Sequence, residues 1–183
     1  MALPVSASSG MFSQDLRLHI VMLTISRDLV DRMVAHARAD HPDEACGVIA
    51  GPEGSDRPER FIPMLNAERS PTFYRFDSAE QLKVWREMDR ADEAPVVIYH
   101  SHTATEAYPS RTDVNLASEP GAHYVLVSTR DGADVEGTAV DFRSYRIVDG
   151  EVTVSTRDET PGKNILVGTL GRGGKTLFAL DVS

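Results

Sequence analysis

Residues 95–113 read PVVIYHSHTATEAYPSRTD. The first eight form an apolar run ending in two histidines, the pattern of a strand covered on both faces. Behind Pro109 comes S-x-x-D, Ser110 to Asp113. Its hydroxyl can cap the first turn of a short helix, and its acid favours the helix's positive end. A buried strand, a loop and a capped helix in this order predict an α/β arrangement. Taken alone, the stretch needs no chemistry: it reads as a strand end and a helix start.

The surrounding sequence extends this pattern. From Ser26, a plausible N-cap, Leu29, Val30, Met33, Val34 and Ala37 recur at helical spacing, and Pro42 marks the stop. CGVIAG (46–51) predicts a short buried strand closed by Gly51-Pro52. RFIPMLN (60–66) predicts a second strand, placed at an edge by Pro63. DSAEQLKVWREMDRADEA (77–94) predicts a helix with Asp77 and Glu80 as a capping box and Leu82, Trp85 and Met88 as its buried stripe. HYVLVST (123–129) predicts another buried strand, DGADVEGT (131–138) a turn, and VDFRSYRIVDG (140–150) one or two antiparallel strands.

Helices and strands alternate without a repeat, which predicts one compact α/β domain, a mixed β-sheet flanked by helices, over residues 22–150. Residues 1–21 read as an N-terminal extension and 151–183 as a C-terminal tail or hairpin. GTLGRGGKT (168–176) suggests a phosphate loop, but five residues separate Gly168 from Gly174 where that loop needs four.

Composition narrows the function. The chain has 183 residues, 41% hydrophobic and 26% charged, with a net charge of −9. That charge argues against nucleic acid and against an anionic membrane surface as partners. No apolar run approaches the roughly 20 residues of a membrane helix, and the N-terminus is a poor signal peptide. The single cysteine, Cys46, cannot form an internal disulfide and fits a cytoplasmic location. A homo-oligomer is compatible with all of this.

The histidines carry the chemistry. Residues two apart in a strand share a face, so His100 and His102 present two imidazoles together, about 7 Å apart at Cα. The loop returns into a helix whose first turn carries Asp113. Two nitrogens and a carboxylate suit Zn²⁺, and three protein ligands leave a fourth position for water. With no cysteines to close it, such a site is catalytic rather than structural. Its water needs a base, and HPDEACGVIAG offers Asp43 and Glu44 at the mouth of the first strand. Spacing alone does not place Glu44 beside His100. Cys46 reads as a small buried hydrophobe, and His36, His41 and His123 as ordinary helix, loop and strand residues.

E-x-C-G, then H-S-H, then S-x-x-D seven residues on resembles the JAMM (MPN+) metalloprotease signature, over roughly residues 22–150. The resemblance implies a cytidine-deaminase-like fold and hydrolysis of peptide or isopeptide bonds after the C-terminal glycine of ubiquitin-like proteins. It implies His100, His102 and Asp113 as ligands of one Zn²⁺ per chain, Glu44 as general base and Ser110 as oxyanion donor. Thr103 departs from the proline common after the second histidine, which bears on loop stiffness but on no ligand. Both segments look most like the actinobacterial Mec branch, whose members release cysteine from CysO, a ubiquitin-like sulfur-carrier protein. Arg111 is a candidate contact for acidic groups of such a carrier. The rival readings are another sulfur carrier or ubiquitin-like substrate, or an MPN-type binding module without activity, which usually lacks the ligands. A zinc deaminase would need H-x-E and P-C-x-x-C, which this chain lacks.

Overall fold

The computed structural model describes residues 23–131, 140–154, 165–166 and 179–180. The expected extension 1–21, most of the DGADVEGT turn and the glycine-rich GTLGRGGKT lie outside the described residues. The main body contains helices α1 (Arg27–Asp40), α2 (Ser78–Arg90) and α3 (Arg111–Leu116). Its strands are β1 (Cys46–Pro52), β2 (Arg60–Met64), β3 (Glu93–His102), β4 (His123–Ser128), β5 (Asp141–Val148) and β6 (Glu151–Val154). They form one sheet in the order β2-β1-β3-β4-β5-β6, in which β3 and β4 run parallel and every other pair antiparallel. This is the expected mixed α/β sheet, with Pro63 in an edge strand. Farther along, Ile165–Leu166 (β7) pairs with Ala179–Leu180 (β8). Among the described residues no helix is long and apolar enough to cross a membrane.

Alternation in the strands divides the core into two layers. Val97, Tyr99, Val125 and Val127 face α1, where Leu29, Val30, Met33 and Ala37 are buried. Val48, Ile98, Tyr124 and Leu126 face the opposite layer with Val84 and Met88 of α2. Ser26 caps α1 by accepting the Leu29 N–H at 3.4 Å. Gly47 permits the close approach of β1 to Tyr99: a Cβ there would lie 2.5 Å from the Tyr99 hydroxyl and 2.6 Å from the Ile62 carbonyl oxygen.

Three local expectations are corrected. Asp77 caps α2, accepting from the Ala79 and Glu80 amides, but Glu80 does not return the bond; its Oε2 accepts from the Leu65 N–H at 2.8 Å. Of the expected α2 stripe, Met88 is buried and Trp85 packs partly buried against the same cluster, but Leu82 is 52% exposed and Val84 is buried in its stead. At about 100° per residue, Leu82 stands about 160° around the helix from Val84, on its outer side. Finally, the sheet does not stop at residue 150. Asp149 and Gly150 take φ of 51° and 80°, the paired positive values of a two-residue hairpin, and lead into β6 as the outer strand.

Candidate metal centre

The site grows from the carboxyl end of the β3/β4 parallel pair. His100 and His102 share the face of β3 that carries Ile98 and looks toward α2 and α3. β1 runs antiparallel with Cys46 opposite His100. The Ser101 N–H donates to the Ala45 carbonyl at 2.9 Å, so the ladder continues and sets Glu44 opposite His102. Glu44 is 5% exposed, in a position that β-pairing rather than sequence distance determines. Asp113 arrives from α3. Ser110 accepts the Asp113 N–H at 3.2 Å and donates its own N–H to Asp113 Oδ2 at 2.6 Å, a complete capping box that orients the carboxylate.

The three donor groups converge. His100 Nε2 lies 3.1 Å from His102 Nε2 and 3.4 Å from Asp113 Oδ1, and His102 Nε2 lies 3.4 Å from Asp113 Oδ2. Bonds of about 2.0–2.1 Å at a tetrahedral angle would space donors about 3.3 Å apart, so the set fits zinc. Among the described residues this is the group of metal-ligating side chains close enough to share an ion.

The surroundings hold these donors. His102 Nδ1 donates to the Glu106 carbonyl at 2.9 Å and lies 3.0 Å from Thr105 Oγ1. A carbonyl only accepts, so Nδ1 carries the proton and Nε2 of the neutral ring offers its lone pair to the site. The loop bearing that carbonyl is tied to β4 and β5. Ser128 donates to the Thr105 carbonyl at 2.6 Å, Tyr145 to the Ala107 carbonyl at 2.7 Å, and the Ala107 N–H to Asp141 at 3.2 Å. His100 is fixed by stacking on Tyr74, centroids 4.3 Å apart.

Burial sets the electrostatics. Desolvation raises the Glu44 carboxyl from 4.5 to about 7, with His102 working against the shift and Asp113 adding to it. Desolvation also opposes ionisation of Asp113, but the hydrogen bonds with His100 and His102 outweigh it and hold the carboxyl well below its usual range. Burial lowers His100. For His102, desolvation is outweighed by hydrogen bonding to Asp113 and Glu106, and the net shift is upward.

Other singled-out residues lie elsewhere. Cys46 is fully buried, 3.6 Å from the Met64 carbonyl, with a thiol pushed up to about 12 by burial, so it is a packing residue and not a nucleophile. His36 meets Tyr99 at 2.8 Å on the α1 side of the sheet, His41 meets Thr129 at 3.2 Å, and His123 is buried at the start of β4. Arg111 is exposed in the first turn of α3. Thr103, at the place of the common proline, donates to the Pro71 carbonyl at 2.8 Å. Sequence reasoning missed Tyr74 and Ser101. The latter, fully buried, accepts the Ala45 N–H at 2.8 Å; its one signal was a hydroxyl inside an apolar strand.

Known proteins resemble this chain. The family Prok-JAB, prokaryotic homologues of the JAB domain, matches residues 26–148. The CysO-cysteine peptidase of Mycobacterium tuberculosis is 76% identical over 134 residues, covering 73% of this chain and 88% of that protein. The desampylase of Haloferax volcanii is 32% identical over 132 residues, covering 68% of this chain and 94% of that protein. A solution structure of a Desulfitobacterium hafniense protein superposes with a TM-score of 0.61 at 31% identity, covering 73% of this chain and 89% of that one. The matched span contains every strand from β1 to β5, both histidines, Asp113 and Glu44. The chain belongs to the Prok-JAB family, the prokaryotic branch of the JAMM/MPN proteins.

Proposed function

We propose that this chain is a zinc peptidase that cleaves after the C-terminal glycine of a ubiquitin-like sulfur-carrier protein and releases cysteine from a CysO-type carrier in the cytoplasm. The observation that carries the chemistry is the convergence of His100 Nε2, His102 Nε2 and the two Asp113 carboxylate oxygens within 3.4 Å, with the buried Glu44 opposite His102. The carrier assignment is supported by 76% identity to a CysO-cysteine peptidase.

His100, His102 and Asp113 would hold one Zn²⁺. When bound, the ion supplies Lewis acidity toward the scissile carbonyl and acidifies water. Glu44 takes the proton of the attacking water at its carboxylate. Its raised pKa, about 7, suits a group that gives the proton up again near neutrality. The carbon–nitrogen bond breaks as Glu44 passes that proton to the leaving amine, yielding the carrier's glycine carboxylate and a free amino acid. Ser110 Oγ accepts the Asp113 N–H, which leaves its hydroxyl proton for the carbonyl oxygen where negative charge develops.

The test is incubation with a carrier bearing a C-terminal cysteine, read by intact mass. Loss of one cysteine residue is expected, and Asp113→Ala should lose both zinc and turnover. No cleavage by a zinc-loaded, folded protein sinks the carrier assignment. Tight zinc binding by Asp113→Ala sinks the ligand assignment.

A further inference from the structure

Between β2 and α2 the chain makes an excursion over residues 66–76. An Asn66–Phe76 bridge closes its base, together with the Ala67 N–H donating to the Arg75 carbonyl at 2.9 Å. At its root sits Asn66, a polar side chain in a residue only 4% exposed. Nδ2 donates to the Glu44 carbonyl at 2.9 Å and to the Phe73 carbonyl at 3.1 Å. Oδ1 accepts the Glu68 N–H at 3.0 Å and the Arg75 N–H at 3.2 Å. An amide has two protons to donate and two lone pairs to offer, so every capacity of Asn66 is used. Because all four partners are backbone groups of fixed polarity, they also determine which way the amide faces.

One partner stands apart from the excursion: the backbone of Glu44. Cys46 pairs with Met64 in the β1/β2 ladder, so continued pairing would set residue 66 against residue 44. There the Asn66 side chain takes the place of the ladder. The excursion grips Glu44 from its other side too, since the Glu44 N–H donates to the Ser70 carbonyl at 2.9 Å. It also carries Tyr74, stacked on His100, and the Pro71 carbonyl that Thr103 reaches.

We infer that Asn66 is a positioning residue for the peptidase reaction: it fixes the backbone of Glu44 to the excursion that bears Tyr74, and thereby sets the Glu44 carboxylate against His102. Without Asn66 the Glu44 carbonyl would lose its anchor and the residue would keep only the neighbouring β3 ladder and the Ser70 bond, and a misplacement of about 1 Å in a reacting group costs on the order of 100-fold in rate. The inference rests on the reading of Glu44 as base, so Glu44→Gln is measured alongside.

The experiment compares parent, Glu44→Gln, Asn66→Ala and Asn66→Ser, zinc-loaded, with cysteine release from the carrier, zinc affinity and amide hydrogen exchange as readouts. In both Asn66 variants kcat should fall about 10- to 100-fold, with KM and zinc affinity unchanged. Exchange protection should be lost at the Glu44 amide and kept along β3 and β4. A merely structural role would instead lower protection throughout and leave kcat of the folded fraction intact. A folded Asn66→Ala with parental kcat, beside an inactive Glu44→Gln, overturns the inference alone. An active Glu44→Gln overturns the base reading and this inference with it. If neither Asn66 variant folds, exchange of the Asn66 side-chain amide protons in the metal-free parent decides: protection comparable to the Val97 amide in β3 supports the clamp on the Glu44 carbonyl, and exchange as fast as an exposed amide overturns it.

Discussion

Replacing His123 with glutamine should remove much of this protein's sensitivity to acid. His123 opens β4, is fully buried, and has Nδ1 3.5 Å from Ser144 Oγ. Burial, with the nearby charge of Arg146 adding to it, pushes its pKa from 6.5 down to about 3. In the unfolded chain the imidazole titrates near its ordinary value. The folded pKa lies below the unfolded one, so between about pH 6.5 and about pH 3 the unfolded state binds the extra proton. Stability is unaffected by this group above the window and is lost as pH falls through it. The ceiling is about 5 kcal/mol, and at about pH 4.5 the loss should be roughly 2–3 kcal/mol, a large share of a typical folding free energy. The assay is urea unfolding of metal-free parent and His123→Gln from about pH 7.5 to about pH 4. His100, also depressed by burial, contributes to both proteins and cancels in the difference. The two curves should converge on acidification, with the parent falling faster. Parallel curves across the window would show that His123 does not stay neutral in the fold, and would refute the reasoning.

Three further outcomes are expected. Glu44→Gln should bind zinc like the parent while turnover drops by about 10²- to 10⁴-fold, and parental turnover would end its assignment as base. Gly47→Ala should lower stability by about 1–3 kcal/mol, because its Cβ meets both the Tyr99 ring and the Ile62 carbonyl; an unchanged urea midpoint would mean that β1 shifts without cost. Ending the chain after Val154 should preserve turnover, whereas ending it after Gly150 strips β6 from β5 and should lower the melting temperature; equal melting temperatures would show that β6 adds nothing to the sheet.

Much of the site was legible in the sequence because it is local. A period of two puts His100 and His102 on one face, and S-x-x-D is both a helix start and the carrier of Asp113. Glu44 was different. Its place depends on the antiparallel register that sets Cys46 against His100, a pairing between residues far apart in the chain, and only family resemblance suggested it beforehand. Asn66 was invisible for the same reason: its partners are backbone groups, which leave no pattern in residue types. Leu82 misled because spacing by threes identifies a stripe only approximately, and Val84 with Met88 fits the helical turn better. The Asp149-Gly150 pair was a readable hairpin signal between Ile147-Val148 and Val152, and would have extended the sheet to β6.

The histidines and the aspartate of the candidate metal centre rest on very different supports. His100 and His102 belong to a central strand bonded on both sides, whereas Asp113 rides on a six-residue helix with no buried residue of its own. Opening α3 gives up its capping box and the partly buried packing of Val114, while moving the histidines would break the sheet. An ion held by these three side chains would therefore leave through fraying of one short helix rather than through unfolding. The Ser110–Asp113 box would then act as a latch, whose lifetime sets how quickly a chelator strips that ion.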